Sequence, residues 1–152
     1  MKYKILFVCH GNICRSPMAE FVMKDLVRQM GIEKQFEIAS AATSTYEIGN
    51  PVYPPARQKL AEHGIDCKGK TARQITKRDY DYYDYIIAMD HSNLRNLRNV
   101  LGEDRQRKIS LLMDYTSRPA DVADPWYTGD FQATWDDVTE GCEALLSFIL
   151  KQ

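Results

Sequence analysis

Two rhythms of apolar residues alternate along the chain. Short, mostly apolar runs occur at Ile5 to Val8, Phe36 to Ala42, Tyr85 to Met89 and Lys108 to Leu112, each with the length of a strand. Between and after them the spacing changes to threes and fours. Ala19, Val22, Met23, Leu26, Val27 and Met30 line one face of a helix that Gly31 closes. Pro54 to His63, followed by Gly64, and Ser92 to Val100, with Gly102 beyond, predict two more helices. Phe131, Trp135, Val138, Cys142, Leu145 and Ile149 form the seam of a long terminal helix. Strands alternating with helices predict an α/β fold: a doubly wound four-stranded parallel sheet with helices on both faces. Ligand sites in such sheets lie at the carboxyl ends of the strands, which directs attention to the segment after the first strand.

That segment reads Val8-Cys9-His10-Gly11-Asn12-Ile13-Cys14-Arg15-Ser16-Pro17. A strand delivers Cys9 into a glycine-containing turn, and Arg15, Ser16 and Pro17 lead into the next helix, with Ser16 and Pro17 reading as its cap and first residue. Gly11 takes positive φ freely and Asn12 tolerates it, so two successive amides are expected to fold inward. Loop amides above a helix N-terminus form a cradle for a phosphate-like dianion, here with a thiol at its mouth. A free thiol is mostly protonated at neutral pH, but amide dipoles, the helix end, Ser16 and the Arg15 guanidinium all favour the thiolate. Cys9 therefore reads as a nucleophile. Arg15 offers a planar fork for two phosphoryl oxygens, and the amides of His10, Gly11, Asn12, Ile13, Cys14 and Arg15 hold the remaining charge.

Composition narrows the setting. The chain has 152 residues, within the range of a single domain spanning 1–152, and a formal net charge of −1, which gives no reason to expect nucleic acid or an anionic membrane as partner. The apolar run before Cys9 is too short for a signal-peptide core, so a cytoplasmic protein is expected. Four cysteines do not make a disulfide framework, and Cys9 and Cys14 lack a second ligand pair, so no metal site is expected.

The loop resembles the phosphate-binding C-x5-R loop of the low-molecular-weight protein tyrosine phosphatases. Four further stretches are similar to segments of that family: Ser40 to Pro51, its substrate-specificity loop; Ala72 to Thr76; Met89 to Leu94; and Asp124-Pro125-Trp126-Tyr127, its general-acid loop. The resemblance implies hydrolysis of phosphotyrosine in proteins or peptides, and of small aryl phosphates, through a phosphocysteine intermediate, without cofactor. Cys9 is then the nucleophile, Arg15 the phosphate clamp and Asp124 the general acid and base. Tyr46, Trp126 and Tyr127 wall the substrate crevice, Asn12, Ser16 and Ser40 support the loop, and phosphate, sulfate or vanadate occupy the cradle. Cys14 is the resolving thiol in a Cys9–Cys14 redox pair. A monomer with weak self-association at most is expected. One departure stands out: the histidine often found just before the Ala-Arg-Gln segment is replaced around Gly69-Lys70-Thr71, so loop support is wired differently here.

Alternatives remain open on the residues alone. A protein-arginine phosphatase of the same fold typically carries threonine where this chain has Ile13. An arsenate-reductase-type oxidoreductase needs a relay of extra cysteines, and Cys67 and Cys142 are too far apart in sequence to form one. A non-catalytic phosphate-binding module has no need of both Cys9 and Asp124.

Overall fold

A computed structural model of the protein describes residues 2–152. In chain order the elements are β1 (Tyr3–Cys9), α1 (Arg15–Gln29), β2 (Phe36–Ala42), α2 (Pro54–Glu62), α3 (Lys77–Tyr82), β3 (Tyr85–Ala88), α4 (His91–Leu101), β4 (Ile109–Leu111), α5 (Pro125–Thr128) and α6 (Phe131–Leu150). The four strands form one parallel sheet in the order β2-β1-β3-β4.

β1 is central, and its side chains are apolar on both sides because both sides are covered. Ile5, Phe7 and Cys9 face a core shared with α1, α2 and α6; Leu6 and Val8 face a second core with α3 and α4. The terminal helix buries the seam read from its spacing, with Trp135, Val138, Cys142, Leu145 and Ile149 all in the first core. Gly141 lies on the same helix where a Cβ would run into the Leu112 side chain, so the helix approaches the turn after β4 more closely than any other residue would permit.

From β1 the chain crosses through α1 to β2 on one side, then returns to place β3 on the other side of β1. The loops after β1 and β3 therefore diverge at the carboxyl edge and open a crevice between them.

Three departures from the sequence reading have physical reasons. α1 begins at Arg15, with Cys14 at the cap position and no side-chain cap, so Ser16 lies inside the helix and its hydroxyl is free for another partner. Of the two loop residues expected at positive φ, only Asn12 adopts it, at 60°. Gly11 stays outside that region, where a Cβ would make ordinary contact with Glu47. The third is α3, which has no apolar period. Thr76 and Asp79 start it through a reciprocal capping box, and it supplies Tyr80, whose hydroxyl donates to Asp104 at 2.6 Å.

Candidate active site

Cys9 is the last residue of β1, and its sulfur sits beneath the loop formed by residues 10 to 14. Two groups reach it directly. The Asn12 amide donates to Sγ at 3.3 Å, and Ser16 Oγ lies 3.0 Å away. The rim is fixed by backbone bonds from Thr43 to the Cys9 carbonyl and from Ser44 to the His10 carbonyl, which tie the loop to the end of β2.

Asn12 holds its left-handed conformation through its own side chain. Its Nδ2 donates to Ser16 Oγ at 2.8 Å and to Ser40 Oγ at 2.9 Å, while its Oδ1 accepts from the Arg73 amide at 3.2 Å. Asn12, Ser16 and Ser40, expected as loop supports, are thus joined in one buried network. Two further residues enter that were not expected. The Ser40 hydroxyl donates at 2.6 Å to Glu20, a carboxylate on α1 that is only 4% exposed. Lys70 then donates to the Ser40 carbonyl at 2.9 Å and lies 3.3 Å from the same Glu20 oxygen. Burial draws the Lys70 ammonium below the ordinary lysine range, opposed by the attraction of Glu20. Lys24, at the surface, contacts the other Glu20 oxygen at 2.6 Å.

Arg15 enters from the first residue of α1 and is 2% exposed. Nη1 donates to Asp90 Oδ2 at 2.7 Å and to the Val122 carbonyl at 2.8 Å; Nη2 points to Asp124 Oδ2 at 3.4 Å. Burial opposes the charge, but Cys9, the hydrogen bond to Asp90 and the charge of Asp124 outweigh it and hold the guanidinium above its ordinary value. Asp90 is not free for proton transfer, since it also caps α4 in a reciprocal capping box with Asn93. Asp121 is likewise engaged, with His91 at 2.7 Å on the surface.

Asp124 stands at the entrance in an extended conformation and caps the one-turn helix α5 by accepting from the Trp126 amide. It closes one side of a crevice of about 290 Å³ that runs down to Cys9 and Arg15. Tyr46, Trp126 and Tyr127 line the crevice, with His10, Ile13, Cys14 and Glu47 around them. Tyr46 is 81% exposed and Tyr127 83%, so both rings offer open faces to an incoming group. The Trp126 ring packs on Tyr53 with centroids 4.9 Å apart, which holds that wall in place. Of the residues expected at the cradle or crevice, Cys9, His10, Gly11, Ile13, Cys14, Arg15, Tyr46, Asp124, Trp126 and Tyr127 line it, whereas Asn12 and Ser16 are buried with Ser40 in the layer beneath.

The four cysteines are unpaired. Burial, reinforced by Cys9 and Asp124 and partly offset by Arg15, pushes the Cys14 thiol up to about 12. Cys67 and Cys142 are also shifted upward, both chiefly by burial. Among the described residues no group of three or more His, Cys, Asp or Glu side chains is placed to hold a metal ion, and no helix is long and apolar enough to cross a membrane.

Known proteins resemble the chain over nearly its whole length. A family model described as low molecular weight phosphotyrosine protein phosphatase matches residues 4–152. The low molecular weight protein-tyrosine-phosphatase YfkJ of Bacillus subtilis is 43% identical over 150 residues, covering 97% of this chain and 96% of its own. Its crystal structure is similar with a TM-score of 0.96. The human low molecular weight phosphotyrosine protein phosphatase is 42% identical over 147 residues, 93% of this chain and 92% of that one. The crystal structure of DARP, a drosophila arginine phosphatase, is similar with a TM-score of 0.86 at 32% identity, covering 98% of each chain.

Proposed function

Because the chain belongs to the low molecular weight phosphotyrosine protein phosphatase family, we propose that it hydrolyses phosphotyrosine in proteins or peptides, and small aryl phosphates, through a phosphocysteine intermediate. One observation carries this reading. A buried guanidinium joins the loop that holds a hydrogen-bonded sulfur to a carboxylate 109 positions further along the chain, and all three line one crevice.

In the first step the Cys9 thiolate attacks phosphorus, and the bond to the tyrosyl oxygen breaks. Asp124 gives its proton to that oxygen, because a bare phenolate is a poor leaving group. Arg15 binds two equatorial oxygens, and its fork suits the planar arrangement of the transition state. In the second step Asp124, now a carboxylate, takes a proton from water as the water oxygen attacks phosphorus. The phosphorus–sulfur bond breaks, inorganic phosphate leaves, and the thiolate and the Asp124 proton are restored. Every proton and electron pair is accounted for without a metal or cofactor. Tyr46, Trp126 and Tyr127 sandwich the aromatic ring of the substrate. Phosphate, sulfate or vanadate would occupy the cradle as product-like anions. Residues 1–152 work as one domain in this scheme, since both apolar cores share the single sheet.

The likeness to an arginine phosphatase makes phosphoarginine the proper competitor. Ile13, nearly buried against Cys14 and Ala72, presents an apolar wall at the position where threonine is typical of that branch.

Initial rates on phosphotyrosine, phosphoserine and phosphoarginine peptides, with and without a chelator, test the assignment. Activity on the first, little on the others, and no loss with chelator are expected. Cys9→Ser should abolish turnover and still bind vanadate. Residual turnover of a few per cent in that variant would place the nucleophile elsewhere, and a preference for phosphoarginine would replace the substrate assignment.

A further inference from the structure

The hydrogen bonds beneath the loop have a direction as well as a geometry. Glu20 lies between Lys70 on one oxygen and Lys24 on the other, and a carboxylate so placed accepts at both. Its short bond to Ser40 therefore uses the Ser40 hydrogen. With its own hydrogen committed, Ser40 Oγ accepts from Asn12 Nδ2. The orientation of the Asn12 amide is fixed independently, because Oδ1 must face the Arg73 N–H. The second Nδ2 hydrogen then goes to Ser16 Oγ, which leaves the Ser16 hydrogen for the sulfur 3.0 Å away. From its far end, the chain of bonds runs from Lys70 through Glu20, Ser40, Asn12 and Ser16 to Cys9, with every polarity determined.

From this juxtaposition we infer that Lys70 is a positioning residue for Cys9: its ammonium, paired with Glu20 and bonded to the Ser40 carbonyl, orients the Ser40–Asn12–Ser16 relay so that Ser16 donates to the sulfur. The inference rests on the reading of Cys9 as nucleophile. Three features distinguish Lys70 from an ordinary surface ion pair. Its side chain is 12% exposed and that of Glu20 5%, so neither is screened as a surface pair would be. It holds Ser40 twice, once through the carbonyl and once through the hydroxyl's acceptor. And the segment that carries it is fastened to the end of β2 by bonds from Ala42 to the Arg73 carbonyl and from Ile75 to the Ala42 carbonyl, which bring Lys70 under the loop rather than into solvent. Removing the charge leaves a buried carboxylate with Lys24 alone and releases the Ser40 end of the relay.

The test monitors Cys9 itself rather than a substrate. The rate of alkylation by iodoacetamide is measured against pH, with the modified cysteine assigned by peptide mass, alongside kcat and KM on a phosphotyrosine peptide. For Lys70→Met the pH of half-maximal alkylation should rise by roughly half a unit to one unit, since a hydrogen bond to the charged form is weakened. The loss should fall on kcat, with KM within about twofold of the wild type, because the cradle's own amides remain. Lys70→Arg should restore the wild-type profile. Lys24→Met removes the same charge from the Glu20 oxygen outside the relay and should leave the profile near that of the wild type.

Ser40→Ala separates relay from field. If Lys70 acts through Ser40, the Ser40→Ala/Lys70→Met double variant shifts no further than Ser40→Ala alone. Full additivity would assign the effect to charge through space, and an unchanged profile in Lys70→Met would leave the lysine a merely structural role; either result overturns the inference. Lys70→Gln, which keeps a donor for the Ser40 carbonyl, is expected to shift the same way and serves if Lys70→Met folds poorly. Alkylation that inactivates at a cysteine other than Cys9 would instead sink the nucleophile assignment, a distinguishable failure.

Discussion

Ser16 and Cys9 face each other across 3.0 Å in the interior of the loop, seven positions apart, and Ser16 has no measurable exposure to solvent. Such a donor serves the sulfur both as nucleophile and, in the second half-reaction, as leaving group. Hydrogen bonds to charged groups contribute about 1.5–3 kcal/mol, so Ser16→Ala should lower kcat by roughly 10- to 100-fold. The cradle amides are retained, and the phosphate inhibition constant should change little. Burst kinetics with an activated aryl phosphate would separate the two half-reactions. An unaltered kcat would mean that the hydroxyl donates elsewhere.

Asp90→Asn tests the mounting of the clamp. The amide oxygen can still cap α4, but the ionic partner of Arg15 at 2.7 Å is lost. A guanidinium held less firmly should cost about tenfold in kcat/KM, with weaker vanadate binding at the same time. Arg15→Lys should lose far more, because a point charge reaches neither Asp90 and the Val122 carbonyl together nor two phosphoryl oxygens.

Asp124→Asn should slow phosphotyrosine hydrolysis by about 10²- to 10³-fold and affect an aryl phosphate with a good leaving group much less. The alkaline limb of the pH profile reports the group that must carry a proton, and it should flatten in this variant. If the limb persists unchanged, the acid lies elsewhere, although Asp90 and Asp121 are both engaged in other contacts.

Cys14 makes a pair of predictions. Its thiol ionises near 12 in the folded protein against an ordinary 9.0. As pH rises past the ordinary value, the unfolded chain releases a proton that the folded chain keeps, so this group's contribution to stability falls between about pH 9 and pH 12. Cys14→Ser should flatten that part of the denaturation profile. At neutral pH Cys14 is a thiol and waits for an oxidised partner. Peroxide should therefore strike Cys9 first, followed by a Cys9–Cys14 disulfide that a dithiol reverses. Cys14→Ser should start with near-normal activity and lose it irreversibly. Equal recovery of both proteins, with no cross-linked peptide, would remove the protective role.

Much of this site is legible in the sequence because its chemistry is local. Cys9 through Ser16 form one continuous segment, and Asp124 is marked by the proline and aromatics after it. What the chain conceals depends on distance. Glu20 looks like a polar residue on the outer face of α1, and only the fold shows that Ser40, on β2, covers it. Lys70 stands out as a departure from the family pattern, but its role requires knowing that residues 70 to 75 run beside β2. Asp90 is legible only in part: the Asp-His-Ser-Asn start of α4 is a capping box, whereas its grip on Arg15 crosses 75 positions. The same signal, Thr76 to Asp79, marks α3, which apolar spacing cannot reveal.

The three groups on Arg15 lie 75, 107 and 109 positions away along the chain. The last two are made more than 100 residues after the loop they hold. A chain that ends before Val122 would carry the whole nucleophile loop with its guanidinium held by Asp90 alone, and turnover therefore doubles as a report that the segment from Val122 onward has docked. Cut in the exposed turn between α4 and β4, the protein would divide into one piece holding Cys9, Arg15 and Asp90 and another holding Asp124, each inactive alone. Turnover would return only when they meet, which makes the clamp a natural seam for a split reporter.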